Sequence, residues 1–231
     1  MKVYEVELTR KINIARDTTA FFFTKPLDFQ FNPGQYLNLS LNNNKHFFSI
    51  ASAPYEAEII IETRMRNTVF KNSLKTLPIG SGVEIKGPFG SFMLHNNSNV
   101  RAVFLAGGIG ITPFRSISYQ AAKDNLPHKI YLFYSNRSPK DAPDLEEFKD
   151  LEKKNSNFKF IPTMTKVNAS EDGEGERGYI NKDMLTKYLS DLGKPIYYIA
   201  GPPNMVLGLR KMLNQAGVND DIIRLENFTG Y

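Results

Sequence analysis

Four short stretches of this sequence combine residue types able to hold phosphates and aromatic rings. Ala106-Gly107-Gly108-Ile109-Gly110-Ile111-Thr112-Pro113 joins an apolar run to a segment with helical character. Glycines let a phosphate approach the backbone, and the unpaired N–H groups of a helix start favour its negative charge. Thr112 suits the N-cap and Pro113 the first helical position. Glycine-rich strand–helix turns also serve packing alone, so this loop by itself leaves both readings open. Ala200-Gly201-Pro202-Pro203-Asn204-Met205 likewise ends a strand and opens a helix. Two such loops flank one crevice if they stand where strand order reverses; otherwise the prolines only stiffen a helix start.

Lys45-His46-Phe47-Phe48-Ser49-Ile50-Ala51-Ser52-Ala53-Pro54 puts an imidazole, aromatic rings and a hydroxyl within a few positions. In a strand His46 and Phe48 share one side; the plainer alternative is a pair of core aromatics. Thr63-Arg64-Met65-Arg66-Asn67-Thr68-Val69-Phe70 offers guanidinium and backbone donors at a helix start, a combination suited to a diphosphate. The chain has no cysteine, which removes disulfides, thiol nucleophiles, thiolate zinc and a protein-bound iron–sulfur cluster. His46, His95 and His128 have no metal-ligand spacing, so no metal site is expected. Any redox chemistry would then have to come from a bound organic cofactor.

The elements that position these stretches fall into two textures. Up to about residue 97 short β-rich runs alternate with turns: Leu37, Leu39 and Leu41 against Asn38 and Ser40, then Glu58–Thr63 and Val83–Lys86. They predict a small antiparallel barrel with one helix over Thr68–Leu77. From residue 98 onward strands and helices alternate. Strands are expected at Val100–Ala106, Ile130–Ser135, Phe158–Thr165, Ile196–Ala200 and Ile222–Leu225. Helices are expected at Phe114–Lys123, Leu145–Lys154, Asn181–Leu192 and Asn204–Ala216, which predicts a parallel sheet covered on both faces. The polar stretch Val167–Gly178 is expected to be a mobile loop.

With 41% hydrophobic and 23% charged residues the composition is that of a globular protein. Lys and Arg number 29 against 24 Asp and Glu, giving a net charge of +5. That excess is first read as an ordinary solvated surface that happens to be basic, and on a sharper reading as one that steers an acidic partner; the lack of dense Lys/Arg runs argues against nucleic acid. The first residues alternate like a strand and lack a signal-peptide core. No stretch reaches the ~18 apolar residues of a membrane span, so a cytoplasmic location is expected.

Taken in order, these elements resemble the ferredoxin–NADP reductase family. His46-Phe47-Phe48-Ser49 is similar to its Arg-x-Tyr/Phe-Ser flavin motif, and Gly87-Pro88-Phe89-Gly90-Ser91-Phe92 to the GPxGxF segment closing the barrel. Gly107–Pro113 is similar to the nicotinamide-nucleotide loop, Ala200–Met205 to CGPPxM, and Glu226-Asn227-Phe228 to the C-terminal Glu-x-aromatic. The resemblance spans essentially the whole chain. It implies an FAD-binding barrel over 1–97 and an NAD(P)-binding α/β domain over 98–231, with FAD preferred to FMN and NAD(P)H as co-substrate.

The resemblance also assigns roles. Phe48 packs along the isoalloxazine ring and Ser49 hydrogen-bonds near flavin N5, while His46, Phe47, Thr63, Arg64, Thr68 and Phe70 complete the flavin site. Gly108, Gly110, Thr112, Gly201, Pro202 and Met205 line the nucleotide site. Glu226 lies near the flavin–nicotinamide junction, Phe228 covers the outer flavin face, and Tyr231 is a candidate to share that covering. His46 stands where the family carries arginine, and a neutral imidazole is a weaker phosphate partner. Ala200 replaces the cysteine of plant-type members. Ser135-Asn136-Arg137 lacks an NAD-ribose carboxylate and Arg137 is suited to a 2′-phosphate, which favours NADPH despite Asp141 and Asp144 nearby. The implied activity is a flavin-dependent reductase passing hydride from NAD(P)H to FAD and single electrons to a separate acceptor. That acceptor is a ferredoxin, flavodoxin, haem protein or oxygenase component. The alternative is a non-catalytic flavin- or nucleotide-binding subunit of a larger redox complex.

Overall fold

The computed structural model describes residues 2–42, 44–166 and 175–228. The chain divides into two compact units, Met1–Leu94 with Thr112–Gln120, and His95–Ile111 with Ala121–Tyr231.

The first unit contains β1 (Val3–Ala15), β2 (Thr18–Thr24), β3 (Tyr36–Leu41), β4 (Asn44–Ser49), β5 (Glu58–Arg64), α1 (Val69–Thr76) and β6 (Gly82–Phe89). Its strands form an antiparallel sheet in the order β4-β3-β6-β1-β2-β5, whose end strands β4 and β5 approach each other as in a barrel. β1 makes this curvature possible. Its first residues pair with β6 and its later ones with β2, with register shifts between Leu8 and Arg10 and between Asn13 and Ala15. Bulges bend a strand and increase its twist, so one strand turns the corner between two neighbours. The inner residues of each strand, among them Leu8, Phe21, Phe23, Leu37, Leu39 and Ile61, are buried in one core. β2 goes beyond the strands expected from the sequence, although Ala20-Phe21-Phe22-Phe23 is an apolar run of the length a buried strand needs.

The second unit contains β7 (Ala102–Gly107), β8 (Ile130–Asn136), β9 (Phe158–Met164), β10 (Glu176–Arg177), β11 (Ile196–Gly201) and β12 (Ile223–Asn227). Its helices are α3 (Leu145–Lys154), α4 (Lys182–Tyr188) and α5 (Pro203–Gln215). The strands pair in parallel in the order β10-β9-β8-β7-β11-β12. The chain therefore leaves β7 toward β8 and β9, then returns to the other side of β7 with β11. This is the switch point outside whose strand ends ligands of open α/β sheets bind.

Most boundaries lie within a few residues of those read in the sequence, β10 falls at the end of the stretch expected to be a loop, and two differences have a clear local cause. α4 ends at Tyr188, not Leu192, because the Leu189 N–H closes the last turn on the Leu185 carbonyl and Gly193 then turns on Asp191 Oδ1. Leu189 and Leu192 carry on the apolar spacing but are buried from a loop. Thr112 is not an N-cap. A 3-10 turn over Gly108–Ile111 runs directly into α2 (Thr112–Lys123), so Thr112 is the first helical residue and is buried. The stretch expected to be mobile lies for residues 167–174 outside the described residues, as does Tyr231.

Buried His95 should make the second unit sensitive to acid. His95 Nε2 lies 2.9 Å from the Val100 carbonyl and Nδ1 lies 3.0 Å from the Tyr198 hydroxyl. The carbonyl requires a donor, so the neutral ring carries its proton on Nε2 and accepts at Nδ1. The His128 ring stands edge-on, 5.2 Å away. Burial pushes the His95 pKa below its ordinary value, with His128 and Arg224 adding to the effect and the bond to Val100 opposing it. A histidine pKa lowered by folding gives stability that is present above the unfolded value of about 6.5 and is lost as pH falls below it. The melting temperature should hold from pH 8 to about 7 and fall from about pH 6.5 downward. In His95→Gln that slope should shrink; an unchanged slope would assign it to other groups.

Candidate cofactor sites

In the first unit, β4 lies against β3 with Phe48 opposite Leu37, Phe47 opposite Asn38 and His46 opposite Leu39. Directly paired residues share a face, so His46 and Phe48 lie on the side of Leu37 and Leu39. The Phe70 ring of α1 meets both, with centroids 4.3 Å from His46 and 5.9 Å from Phe48. Phe47 is set apart on the other face, 66% exposed, against Tyr36 and Phe89. Ser49 ends β4 as a buried residue opposite Tyr36. Beyond it Ile50 N–H donates to the Gln35 carbonyl (2.9 Å) and Ala51 N–H to that of Ile60 (2.8 Å).

The start of α1 lies just beyond β5, which ends in buried Thr63 and half-buried Arg64. Thr68 caps the helix, its hydroxyl oxygen accepting from Lys71 N–H at 3.3 Å. A hydroxyl that accepts one bond still has its own O–H to donate. The first turn holds no acidic residue. Lys71 Nζ donates to the Arg64 carbonyl at 2.7 Å. Burial pushes its pKa down, and the positive charges of Arg66 and Arg64 push it further. Crowded cations at a helix N-terminus form a site that a phosphate anion neutralises. Lys71 was missed in the sequence, although its place three residues after the cap puts it in the first helical turn.

In the second unit, the loops after β7 and β11 are pressed together. A Cβ added to Gly110 would lie 2.3 Å from the Ala200 carbonyl oxygen and 2.6 Å from Gly201 N. One on Gly107 would lie 2.2 Å from Met205 Sδ. The space freed by these glycines is therefore taken by protein, and the open side of the loops is what remains for a ligand. The Tyr134 hydroxyl braces this loop at 3.1 Å from the Gly108 carbonyl. Pro202 directly precedes α5. Phe228 N–H donates to the Gly201 carbonyl at 3.0 Å, which ties the C-terminal aromatic to the same place. Glu226 of β12 pairs with Ala200, and Ser135 of β8 pairs with Gly107.

Two family models match successive parts of the chain, an oxidoreductase FAD-binding domain over residues 5–94 and an oxidoreductase NAD-binding domain over residues 104–211. The chain belongs to the oxidoreductases that join an FAD-binding to an NAD-binding domain. The groups these two domain families bind are FAD and a nicotinamide nucleotide. One subunit of the Na(+)-translocating NADH-quinone reductase of Marinomonas sp. (strain MWYL1) is 33% identical over 78% of this chain and 44% of its own length. The phenol hydroxylase P5 protein of Acinetobacter pittii is 27% identical over 88% of this chain and 59% of its own. The chain thus spans only about half the length of these curated relatives. Among solved structures, a ferredoxin NADP+ reductase from Neisseria gonorrhoeae, with bound FAD and NADP, superposes with a TM-score of 0.84 at 18% identity. That match covers 98% of this chain and 99% of the other. The Amycolatopsis cytochrome P450 reductase GcoB superposes at 0.87 and 22%, over 99% of this chain and 71% of its own.

The residues for nucleotide choice are the least gathered of the expected set. Arg137 is exposed just beyond β8. Asp141 accepts from the Ser138 hydroxyl at 2.6 Å, and Asp144 is a buried left-handed residue (φ 56°) before α3. The Asp141 carboxylate is thereby engaged in the turn before α3 and Asp144 is buried, which leaves Arg137 as the exposed charge beside Ser135.

Proposed function

We propose that this chain passes hydride from NAD(P)H to FAD held by the first unit, and delivers single electrons to an acceptor outside these 231 residues. The bound flavin supplies the redox chemistry by accepting two electrons from the nicotinamide and releasing them one at a time. The observation that carries this reading is the pair of family matches falling in order on a cation-lined helix start and a switch-point loop. In it Arg64, Thr68 and Lys71 bind the flavin phosphates, with His46 beside them. Phe48 lies along the ring, and Ser49 orients it. Gly201, Pro202 and the open side of the Gly107–Ile111 loop hold the nucleotide, and Phe228 guards the nicotinamide position. The net charge of +5 suits an acidic electron-transfer protein as acceptor.

The test is a visible spectrum before and after anaerobic NADPH and NADH. The expected result is oxidised-flavin absorbance that bleaches with nucleotide; failure to bind FAD or FMN at micromolar concentration would sink the proposal. A second reading, a component without turnover of its own in a larger redox complex, draws on the relatives from the Na(+)-translocating NADH-quinone reductase. Bound flavin that neither nucleotide bleaches would support it. Among the described residues no helix is long and apolar enough to cross a membrane; a cytoplasmic location remains part of this proposal.

We also propose NADPH as the preferred donor, resting on exposed Arg137. Arg137→Ser should raise KM for NADPH on the order of tenfold, the loss of about 1.4 kcal/mol from one charge-assisted phosphate contact, and leave NADH unchanged. Steady-state kinetics with both donors decide it, and an equal change for the two would remove Arg137 from the site.

A further inference from the structure

A buried guanidinium on α2 is unused by the roles given so far. The first nine residues of α2, Thr112–Gln120, pack within the first unit. There the Arg115 side chain, 8% exposed, donates from Nη1 to the Ala51 carbonyl (3.0 Å) and to Glu56 Oε2 (2.9 Å). Nη2 reaches Glu56 Oε1 at 3.2 Å. Nε lies 4.0 Å from Glu62, whose side chain is only 2% exposed. The neighbouring Ser116 hydroxyl donates to the Ser52 carbonyl at 2.7 Å. On the other side the same stretch is held by β5, with Ile60 N–H donating to Ser52 Oγ at 3.0 Å and Ala51 N–H to the Ile60 carbonyl. The carbonyls of Ala51 and Ser52, two and three residues past Ser49, thus end on α2.

We propose that Arg115 is a positioning residue for flavin reduction, fixing Ser49 through the Ala51 carbonyl and the Glu56 carboxylate. The inference rests on the role of Ser49 proposed above. A fork of rigid donors is what the position requires. One planar group must satisfy a carbonyl and a bidentate carboxylate at once, and an ammonium has no such geometry. A misplacement of a reacting group by a fraction of an ångström lowers the rate without any lost contact to substrate. Since Arg115 touches neither cofactor in this scheme, its loss should appear in the saturating rate and not in KM.

The test compares Arg115→Lys and Arg115→Met with wild type by stopped-flow flavin reduction, FAD titration and thermal melting. Each variant is also made in a Ser49→Ala background. Arg115→Lys, which keeps the charge beside Glu56 and Glu62, should melt close to wild type and bind FAD. Its saturating reduction rate should fall about tenfold with KM unchanged. In the Ser49→Ala background the same substitution should cost less than about twofold, because coupled residues are not additive. Full activity in Arg115→Lys, or an equal loss with and without Ser49, would overturn the proposal. Arg115→Met should be at least as slow where it folds, and if it does not fold the lysine variant decides alone. A wild type that binds no flavin, or is not reduced, would instead refute the function proposed above, so the two failures are distinguishable.

Discussion

Ser49→Ala should leave the barrel folded and FAD bound, and slow flavin reduction on the order of 10²-fold, the usual cost of removing one positioned polar group from a reacting centre. Folding should tolerate the change, because Ser49 ends β4 and the backbone on either side is fixed independently. Ser49 pairs with Tyr36, and Ile50 and Ala51 are bonded to Gln35 and Ile60. Binding should tolerate it as well, since the proposed phosphate contacts come from Arg64, Thr68 and Lys71 around the start of α1. The prediction therefore separates rate from affinity. Stopped-flow reduction at saturating NAD(P)H, set beside an FAD titration, reads both. Reduction at wild-type speed would take Ser49 out of the reaction, while lost flavin at unchanged bound-state speed would make it a binding residue.

Local pattern carried much of this architecture. The 2-residue alternation of Leu37, Leu39 and Leu41 and the continuous apolar run of Ala102–Ala106 become a barrel strand and a central parallel strand. Both depend on which face is buried, and a short window shows that. His46 and Phe48 sharing a face was legible for the same reason. The shared partner Phe70 was legible only as a motif neighbour, because the ring contact spans from β4 to α1.

What could not be read were contacts set by the meeting of distant segments. Arg115 and Glu56 are 59 residues apart and form one ion pair. Gly110 looks in sequence like room for a phosphate, yet its missing side chain is filled by the Ala200 backbone. Thr112 has the residue type of an N-cap, but the cap geometry is lost when a 3-10 turn feeds the helix directly. Residue type gives the capacity for an interaction, and only the assembled sheet decides which partner takes it.

Gly110 supplies the second large effect. Its backbone needs no unusual φ, so the constraint is purely one of space. An added Cβ would stand 2.3 Å from the Ala200 oxygen and 2.5 Å from its carbonyl carbon. Both are backbone atoms of β11, held by pairing to β7 and β12, and have no rotamer by which to withdraw. Gly110→Ala must therefore push the two loops apart by about an ångström. Overpacking of this kind costs about 1–3 kcal/mol. The displaced atoms are also those on which the proposed nucleotide site is built, and Phe228 hangs from the adjacent Gly201 carbonyl. The expected result is a lowered melting temperature together with at least about tenfold weaker NADPH and NADH binding, tenfold corresponding to ~1.4 kcal/mol. FAD binding, which draws on the other unit, should be unchanged. Titrating both nucleotides and FAD into wild type and Gly110→Ala, alongside melts, tests this directly. A variant that melts lower yet binds nucleotide normally would make Gly110 a packing residue only, and would move the proposed nucleotide site off this loop.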